Sequence, residues 1–278
     1  MVSLSKASQL VFISGVSSGI GEAVAVALAS RGDRVIGSVK EIGMAQHLHR
    51  HGIELIELDL REPDSVDAAL ERLLKVGLPD VVIHNAGFGC YGMVEDLPRM
   101  AIEEQFAANV FGAQQINHAL IPAMRTRGSG RIVLVSSVLG VVAMRGRGLY
   151  VASKYALEGL ADTMRLELFG SGVEVVVVEP GPIETHFRAS ALAALRRFVA
   201  PDRAADERFY ERFVAGLGAE RSSNRFALSA EACVPAVIKA VDTPRPRARY
   251  CVTIPAKVFP ILRRILPTRA LDWVLRRG

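Results

Sequence analysis

The chain has 278 residues, half of them hydrophobic, which is enough to bury a substantial core, and we predict a single α/β domain over residues 1–278. No apolar run approaches the roughly 20 residues of a membrane span, and the N-terminal apolar segment is too short for a signal peptide, which predicts a cytoplasmic protein. The net charge of +5 equals the excess of basic residues within residues 255–278, so the rest of the chain is formally neutral and no nucleic-acid partner is expected.

Short runs rich in β-branched residues alternate with longer helical patterns. These runs lie at residues 10–14, 34–39, 53–58, 80–85, 131–136, 173–179 and 249–254. Several are apolar on both faces, and such strands separated by helices are typical of a parallel sheet that is covered on both sides. The sequence therefore predicts a doubly wound, mainly parallel seven-stranded α/β sheet, whose ligands should bind in the loops at the carboxyl ends of the strands.

The loop after the first predicted strand is rich in glycine. Gly15, Gly19 and Gly21 occur in the sequence GVSSGIG, where the strand gives way to a helix. Glycine lets the backbone turn tightly and approach a pyrophosphate, and the N-terminus of the next helix offers unpaired N–H groups. Helix caps also use glycine and serine, but the position after the first strand favours a nucleotide site.

Neither the cysteines nor the histidines of residues 47–51 are spaced as metal ligands. Cys90, Cys233 and Cys251 are far apart, and we expect small hydrophobic core residues of a protein in a reducing compartment. The histidines alternate at a spacing of two, which would spread them around a helix, so no metal site is predicted.

Tyr150 and Lys154 are four residues apart in the helical pattern GLYVASKYALEGL. This spacing places both on one face of a helix, whereas Tyr155 points about a quarter-turn away. A neighbouring ammonium stabilises a phenolate, so we expect Lys154 to lower the pKa of Tyr150 and to make it a proton donor near neutral pH. Chance occurrence of the same spacing is the alternative.

Several motifs, taken together, resemble those of the short-chain dehydrogenase/reductase family. The glycines have the spacing G-x-x-x-G-x-G, the sequence HNAG occupies residues 84–87, and Tyr150 follows Ser137 by thirteen residues. The resemblance covers about residues 8 to 190. It implies a Rossmann-like fold and an oxidoreductase that uses a nicotinamide cofactor.

The resemblance also implies which residues contact the cofactor. The matching positions are Gly15, Ser17, Ser18, Gly19, Ile20, Gly21, Lys40, Asp59, Leu60, Asn85, Ala86, Gly87, Tyr150, Lys154, Pro180, Gly181, Ile183 and Thr185. Asp59 and Leu60 correspond to the adenine contact, and residues 85–87 to the stretch that lines the ribose. Residues 180–185 correspond to the loop that orients the nicotinamide.

The choice of cofactor depends on Lys40. Family members that prefer NAD have an acidic residue at the end of the second strand, where this chain has Val39 followed by Lys40. A carboxylate would repel a 2′-phosphate and a lysine attracts one, so we predict NADP(H), with Lys40 and either Ser17 or Ser18 near the phosphate. An ordinary solvated lysine is the alternative.

Four residues match the catalytic positions of the family: Asn109, Ser137, Tyr150 and Lys154. The resemblance implies that Tyr150 donates a proton and Ser137 holds the carbonyl oxygen, because hydride reduction leaves negative charge on that oxygen. Lys154 would lower the pKa of the phenol and bind the nicotinamide ribose, and Asn109 would anchor a water that relays protons to it. Ser136 is the rival of Ser137, since neighbouring strand residues face opposite ways.

Residues 186–226 depart from the sheet pattern and are predicted to form one or two helices. Their apolar positions are Phe187, Leu192, Leu195, Phe198, Phe209 and Phe213. In the family this region covers the substrate, so we predict a greasy lid, although a helix packed on the core would have the same pattern. Leu139, Val141, Val142 and Met144 add an apolar wall.

These features predict an enzyme that interconverts a secondary alcohol and a ketone or aldehyde on a hydrophobic substrate. The motifs are most similar to those of the hydroxysteroid and retinol branch of the family, so a steroid, retinoid or fatty-chain compound is expected. A 3-oxoacyl carrier-protein or CoA reductase is one alternative. A non-catalytic NADP-binding regulatory protein is the other, and it would be favoured by the loss of a catalytic residue.

Residues 255–278 are predicted to form a basic amphipathic extension. Its apolar stripe is Val258, Ile261, Leu262, Ile265 and Leu266, with arginines beside it. Pro260 and Pro267 should break or kink the helix. The extension could pack over the substrate pocket, on a partner subunit or on an anionic membrane surface, and packing is favoured. The resemblance also implies a homodimer or homotetramer that pairs through the helices holding Asn109 and Tyr150.

Overall fold

The computed structural model describes residues 8–200, 205–219 and 224–276, and a parallel sheet lies at its centre. The strands are β1 (Leu10–Ser14), β2 (Arg34–Val39), β3 (Glu54–Glu57), β4 (Val81–His84), β5 (Gly130–Val135), β6 (Val173–Glu179), β7 (Ile183–Glu184), β8 (Leu228–Ser229) and β9 (Arg249–Cys251). Seven of them form the sheet in the order β3-β2-β1-β4-β5-β6-β9, and every neighbouring pair is parallel. The predicted doubly wound sheet is confirmed.

Helices cover both faces of the sheet. They are α1 (Gly19–Ser30), α2 (Pro63–Val76), α3 (Arg99–Phe106), α4 (Gly112–Arg127), α5 (Gly148–Glu167), α6 (Phe187–Phe198), α7 (Glu207–Gly218), α8 (Val234–Asp242), α9 (Ile254–Ile265) and α10 (Thr268–Leu275). Helices α1 and α8 pack on one face, and α2, α4 and α5 pack on the other. None of these helices combines the length and apolar character needed to cross a lipid bilayer.

Strand β1 shows why the apolar runs become central strands. Val11 and Ile13 belong to the core beneath α1 and α8, whereas Phe12 belongs to the core beneath α2, α4 and α5. All three side chains are at most 2% exposed. Successive side chains of a strand point to opposite faces, so an uninterrupted apolar run is buried only when both faces are covered.

The strand order brings the functional loops together. Strand β1 lies between β2 and β4, so the chain leaves β1 in one direction across the sheet and returns on its other side. Parallel strands present their carboxyl ends at one edge, and ligands of doubly wound sheets bind where the order reverses. The loops after β1, β4, β5 and β6 therefore converge at this edge.

A third group of buried residues lies beyond that edge, and we call it the end cluster. It consists of Cys90, Tyr91, Leu97, Ala101, Val138, Leu139, Val142, Leu149, Tyr150, Ala191, Ala194, Leu195, Phe198, Val199, Tyr210, Leu217 and Ala256. Helices α6 and α7 of the predicted lid pack on it, and Phe187, Phe209 and Phe213 join it partly buried. Residues 201–204 and 220–223 of the predicted lid lie outside the described residues.

Two smaller expectations, on the prolines of the C-terminal extension and on the cysteines, were met in part. Pro260 lies inside α9 and does not end it, whereas Pro267 separates α9 from α10. Cys90 and Cys233 are buried as expected, but Cys251 is partly exposed and its thiol donates a hydrogen bond to Glu179 Oε2 at 3.1 Å.

Candidate active site

None of the three glycines in the turn after β1 has room for a side chain, and at Gly21 a Cβ would lie 2.0 Å from the Gly15 carbonyl oxygen. Gly15 has φ +74°, and a Cβ there would lie 2.8 Å from the Cα of Ala86. Gly19 has φ +64°, and a Cβ there would lie 2.9 Å from Thr185 Cγ2. Only glycine combines positive φ with so close an approach of neighbouring atoms. The turn thereby contacts the loop after β4 and the loop after β6, both of which hold predicted cofactor residues.

Helix α1 begins at this turn with its N-terminus open. Ser18 is the N-cap residue, and its side chain makes no capping hydrogen bond. The first N–H groups of a helix have no intrahelical acceptor, so this end can receive the oxygens of a phosphate. Ser17 and Ser18 are partly buried here, while Ile20 packs on the core beneath α1.

Asn85 ties the loop after β4 to the glycine turn. Its Nδ2 donates to the carbonyl of Ser14 at 3.2 Å and to that of Gly15 at 2.7 Å. The Ser14 hydroxyl accepts hydrogen bonds from the backbone N–H groups of Asn85 and Ala86, each at 3.1 Å. The amide group of Asn85 thus donates its hydrogen bonds within the protein. The sequence did not indicate that Ser14 binds the same loop.

Lys40 lies beside Asp59 at the end of β2. Its Nζ is 3.6 Å from Asp59 Oδ2, and its side chain is 56% exposed. Asp59 also accepts hydrogen bonds from Arg61, at 3.0 Å from Nε and 2.5 Å from a terminal nitrogen. Burial would raise the pKa of Asp59, but the hydrogen bonds from Arg61 and the charge of Lys40 lower it to about 2.

Arg61 is therefore a structural partner of Asp59 that the sequence analysis had missed. Its other terminal nitrogen pairs with Glu104 at 2.5 Å, so its charge is shared between two carboxylates. Lys40 keeps only the longer contact and most of its exposure. Of these two cations, Lys40 is the one available to an incoming phosphate. Leu60, between Asp59 and Arg61, is buried.

Tyr150, Ser137 and Lys154 come together at the carboxyl end of β5. Ser137 is the second residue after this strand, and its Oγ accepts a hydrogen bond from the Leu139 N–H at 3.1 Å. Tyr150 and Lys154 lie on one face of α5, with Lys154 Nζ 5.7 Å from the centre of the Tyr150 ring. Lys154 Nζ donates to the Val135 carbonyl at 2.8 Å. All three side chains are buried.

The pKa of Tyr150 is raised, whereas the sequence predicted that Lys154 would lower it. Burial raises the pKa of Tyr150 and the nearby Tyr91 raises it further, while the Ser137 hydroxyl and the Arg147 guanidinium oppose the rise. Lys154 is directed at a carbonyl instead of the phenol oxygen, and loss of hydration outweighs the charges nearby. At neutral pH the phenol therefore holds its proton.

The pKa of Lys154 is shifted in the opposite direction. Burial lowers the pKa of Lys154 to about 8, although the Glu158 carboxylate one turn along α5 opposes this shift. The amine is consequently charged in most molecules at pH 7 and loses its charge under mildly alkaline conditions.

The side chains of Ser136 and Ser137 point in different directions. Ser136 points to the other side of the strand end, where a Cβ on Gly140 would lie 2.7 Å from its Oγ and 3.3 Å from Glu158 Oε1. Ser137 instead reaches the phenol of Tyr150. Of the two serines, Ser137 is the one that contacts Tyr150, in keeping with the alternation of side chains along a strand.

Asn109 lies in a π-helical segment, Ala107–Phe111, between α3 and α4. Its Nδ2 donates to the Phe88 carbonyl at 3.1 Å and to Ser153 Oγ at 3.0 Å, and its Oδ1 accepts from the Phe88 N–H at 3.1 Å. A Cβ on Gly87 would lie 2.9 Å from that Oδ1. Asn109 thus joins the loop after β4 to the helix that holds Tyr150 and Lys154.

The loop after β6 closes the site between the glycine turn and the end cluster. The Pro180 carbonyl accepts from the Val138 N–H at 2.8 Å, next to Ser137. Ile183 lies in β7, which pairs with β8, and this small sheet was not predicted. Thr185 packs on Gly19. A Cβ on Gly181 would collide with Thr253. The predicted nicotinamide loop therefore lies beside both the predicted phosphate end and the catalytic end.

Tyr91 is the centre of an aromatic group over Tyr150, and the sequence analysis had missed it. The centre of its ring lies 6.0 Å from that of Tyr150, 6.2 Å from that of Phe187 and 5.9 Å from that of Phe213. Phe187 is also 5.3 Å from Tyr150. Helices α6 and α7 each contribute one of these phenylalanines, so the predicted lid contacts the phenol directly.

Comparisons with known proteins point to one family. Residues 9–195 match the short chain dehydrogenase family. The uncharacterized oxidoreductase YbbO of Escherichia coli K12 is 37% identical over 270 residues, which are 96% of this chain and 93% of that protein. Human 17-beta-hydroxysteroid dehydrogenase type 1 is 33% identical over 270 residues, covering 92% and 80% of the two chains. The NADPH-dependent 3-dehydrocapnine reductase of Ornithobacterium rhinotracheale is 30% identical over 271 residues, covering 94% and 93%.

Solved structures agree with these relatives. A short-chain dehydrogenase from Streptomyces avermitilis is 26% identical and superposes with a TM-score of 0.76, covering 98% of this chain and 95% of that chain. A short-chain dehydrogenase from Burkholderia cenocepacia J2315, solved in complex with NADP, is 21% identical with a TM-score of 0.75, covering 96% and 97%. The second likeness is evidence for the fold alone.

Proposed function

This protein is an oxidoreductase of the short-chain dehydrogenase/reductase family, and we propose that it uses NADP(H) to interconvert a secondary alcohol and a ketone or aldehyde on a hydrophobic substrate. The observation that supports this proposal is the grouping of Ser137, Tyr150 and Lys154 at the end of β5, beneath an aromatic lid. The loss of a catalytic residue would favour the non-catalytic alternative, and all four predicted residues are present.

The residues around the glycine turn fit a dinucleotide. Gly15 and Gly19 let the turn pack tightly against Ala86 and Thr185, and the N-terminus of α1 at the same turn offers uncapped N–H groups to a pyrophosphate. Residues 85–87 and 180–185 border the remaining length of the cofactor in this proposal. When bound, the cofactor donates or accepts the hydride.

We assign the proton chemistry to Ser137 and Tyr150. Ser137 Oγ already accepts a hydrogen bond from Leu139, so its own O–H can donate to a carbonyl oxygen. Burial keeps the proton on the Tyr150 hydroxyl, which can therefore protonate that oxygen as negative charge develops on it. The charged Lys154 would hold the cofactor's ribose, and Asn109 would hold a water that returns protons to Lys154.

The preference for NADP(H) rests on Lys40. Its ammonium is half exposed at the end of β2, and no acidic residue occupies the preceding position, Val39. The 2′-phosphate would gain a positive neighbour there, whereas NAD(H) would find no carboxylate for its 2′-hydroxyl. The name of the 3-dehydrocapnine reductase, which specifies NADPH, supports the same choice.

The end cluster supports a hydrophobic substrate. Val138, Leu139 and Val142 form one wall of it, and the lid helices α6 and α7 supply the other. A substrate site bordered by these side chains would favour steroid-, retinoid- or lipid-like molecules over polar ones. The similarity to 17-beta-hydroxysteroid dehydrogenase type 1 supports this substrate class. Two lid helices favour it over the 3-oxoacyl reductase alternative, for which a short lid was expected.

We also propose that the enzyme is a homodimer or homotetramer. Phe111, Leu166 and Phe169 are 60%, 78% and 92% exposed near the ends of α4 and α5. Exposed large apolar side chains on neighbouring helices are typical of a subunit interface. Light scattering would measure the assembly directly.

The test is replacement of Tyr150 by phenylalanine. We expect turnover of a hydrophobic ketone with NADPH to fall by at least about a hundredfold, because a positioned proton donor contributes that much. NADPH binding, measured by fluorescence titration, should persist. Tyr155→Phe is the matched control, since Tyr155 lies on the same helix but contacts Arg263. Equal activities of the two variants would refute the assignment.

A further inference from the structure

Helix α9 exposes a straight line of aliphatic side chains, which we call the outer stripe. Ile254, Val258, Ile261 and Ile265 are 60%, 43%, 59% and 67% exposed. Their spacings of four, three and four residues place all of them on one side of the helix. The stripe follows the whole helix, a length of about 17 Å at 1.5 Å per residue. It differs from the predicted stripe, because Ile254 belongs to it while Leu262 and Leu266 are partly buried.

The opposite side of α9 is anchored, so the helix cannot rotate to hide the outer stripe. Ala256 is fully buried, and Phe259 packs against the end cluster. Arg263 donates hydrogen bonds to the Val141 carbonyl and to the hydroxyl of Tyr155. The exposure of the stripe therefore follows from tertiary packing and is not an accident of a loosely attached tail.

Charge distinguishes among the surfaces that could cover the stripe. Helix α9 contains Lys257, Arg263 and Arg264 and no acidic residue. Lys257 and Arg264 are exposed on one flank of the stripe, and neither forms an ion pair with a carboxylate of the described residues. A second copy of the chain laid on the same face would bring like charges together. An anionic surface would instead gain from both cations.

We infer that the outer stripe rests on an anionic lipid bilayer, with its aliphatic side chains among the acyl chains and with Lys257 and Arg264 against the headgroups. The inner face of α9 packs on the turn Val138–Gly140, which borders the site. This docking therefore holds the end cluster about one helix diameter, roughly 10 Å, from the bilayer. On the proposed function, a lipid-soluble substrate would then be close to the enzyme's lid.

The apolar part is tested by sedimentation of the full-length protein with vesicles. Vesicles of phosphatidylcholine with phosphatidylglycerol should pull the protein down, and vesicles of phosphatidylcholine alone should retain at least about tenfold less. Ile261→Asp should weaken binding to the anionic vesicles by at least about tenfold. Leu74→Asp is the matched control, because Leu74 is a 45% exposed apolar residue on α2.

The contribution of Lys257 and Arg264 is tested with a second variant and its matched control. The double variant Lys257→Glu with Arg264→Glu should lose at least about tenfold in binding, because each cation near an anionic surface contributes and each reversal adds repulsion. The double variant Arg72→Glu with Lys75→Glu changes net charge equally on α2 and should bind like the wild type. Circular dichroism would show that all variants are folded.

Four results would overturn the inference. Two concern the wild type: equal sedimentation with neutral and anionic vesicles, or no sedimentation with either. The other two concern the variants: equal losses of vesicle binding in the α9 and α2 variants, or a fall in assembly size caused by Ile261→Asp. The last of these, seen by light scattering, would assign the stripe to a subunit interface. Vesicle binding needs no turnover, so it succeeds or fails independently of the Tyr150→Phe test.

Discussion

Replacing Arg249 by methionine should destabilise the fold strongly, because this one guanidinium neutralises two buried carboxylates behind the site. Its nitrogens lie 3.0 Å from Glu158 Oε2 and 3.1 Å from Glu179 Oε1. The carboxylate-bearing side chains are only 7% and 1% exposed. Asp162, 2.7 Å away, is 46% exposed and also pairs with Arg165, so it should lose little.

The magnitude follows from what the substitution leaves behind. Removing one member of a buried ion pair typically costs about 3 to 5 kcal/mol, because the remaining charge is buried without a partner. One third of the Arg249 side chain reaches solvent, which screens the pair, so we expect about 2 to 4 kcal/mol at pH 7. The exposed pair of Arg34 with Glu54, at 2.8 Å, provides the control: Arg34→Met should cost at most about 1 kcal/mol.

The stability lost in Arg249→Met should be larger at neutral pH than at acidic pH. Burial raises the pKa of Glu158 in the folded protein, with Glu179 adding to the shift and Ser136 and Arg249 opposing it. A carboxyl whose folded pKa is raised destabilises the fold as pH rises above its ordinary value of 4.5, and removing Arg249 strengthens this effect. The difference between variant and wild type should therefore be larger at neutral pH and shrink as the pH falls toward 4.5.

Urea unfolding followed by circular dichroism measures these free energies for the wild type and for both variants at several pH values. Arg249→Met should lower the unfolding midpoint far more than Arg34→Met at neutral pH. If both variants lost the same stability, or if the loss in Arg249→Met grew as the pH fell, the electrostatic reasoning would be refuted.

Three further predictions concern the site itself. Lys40→Asp should shift the ratio of kcat/KM for NADPH over NADH toward NADH, whereas Lys75→Asp on α2 should not; an unchanged ratio in Lys40→Asp would remove Lys40 from cofactor choice. Ser137→Ala should lower kcat by about a hundredfold or more and Ser136→Ala by much less, and the reverse order would exchange their roles. The rate of ketone reduction should fall as the pH rises through about 8, where Lys154 loses its charge, and a profile without that decline would contradict the role of Lys154.

Local sequence was sufficient for the architecture. The runs that became β1 to β6 and β9 were visible from their apolar residues, because a strand buried on both faces has no room for alternation. The glycine turn was visible for a similar reason, since Gly15 and Gly19 occupy conformations and spaces that exclude other residues. The common face of Tyr150 and Lys154 follows from helical periodicity alone.

Contacts between distant segments could not be predicted from the sequence. Tyr91 reaches Tyr150 across about sixty residues, and Arg249 reaches Glu158 across 91 residues. The ion pair of Arg61 with Glu104, across 43 residues, and the π-helical segment that carries Asn109 also arise from packing. No periodic pattern marks such pairs, because each partner looks like an ordinary surface or core residue in its own segment.

The sequence by itself determined the order of strands and helices, the glycine turn and the residues that resemble a catalytic set, because all of these depend on neighbours along the chain. Tertiary structure decided the charge state of that set and the orientation of α9. Desolvation raises the pKa of Tyr150 above the value expected beside Lys154, and the anchoring of Ala256 and Phe259 turns the outer stripe toward solvent. Both outcomes depend on which atoms exclude water from a group, and that is known only when the chain has folded.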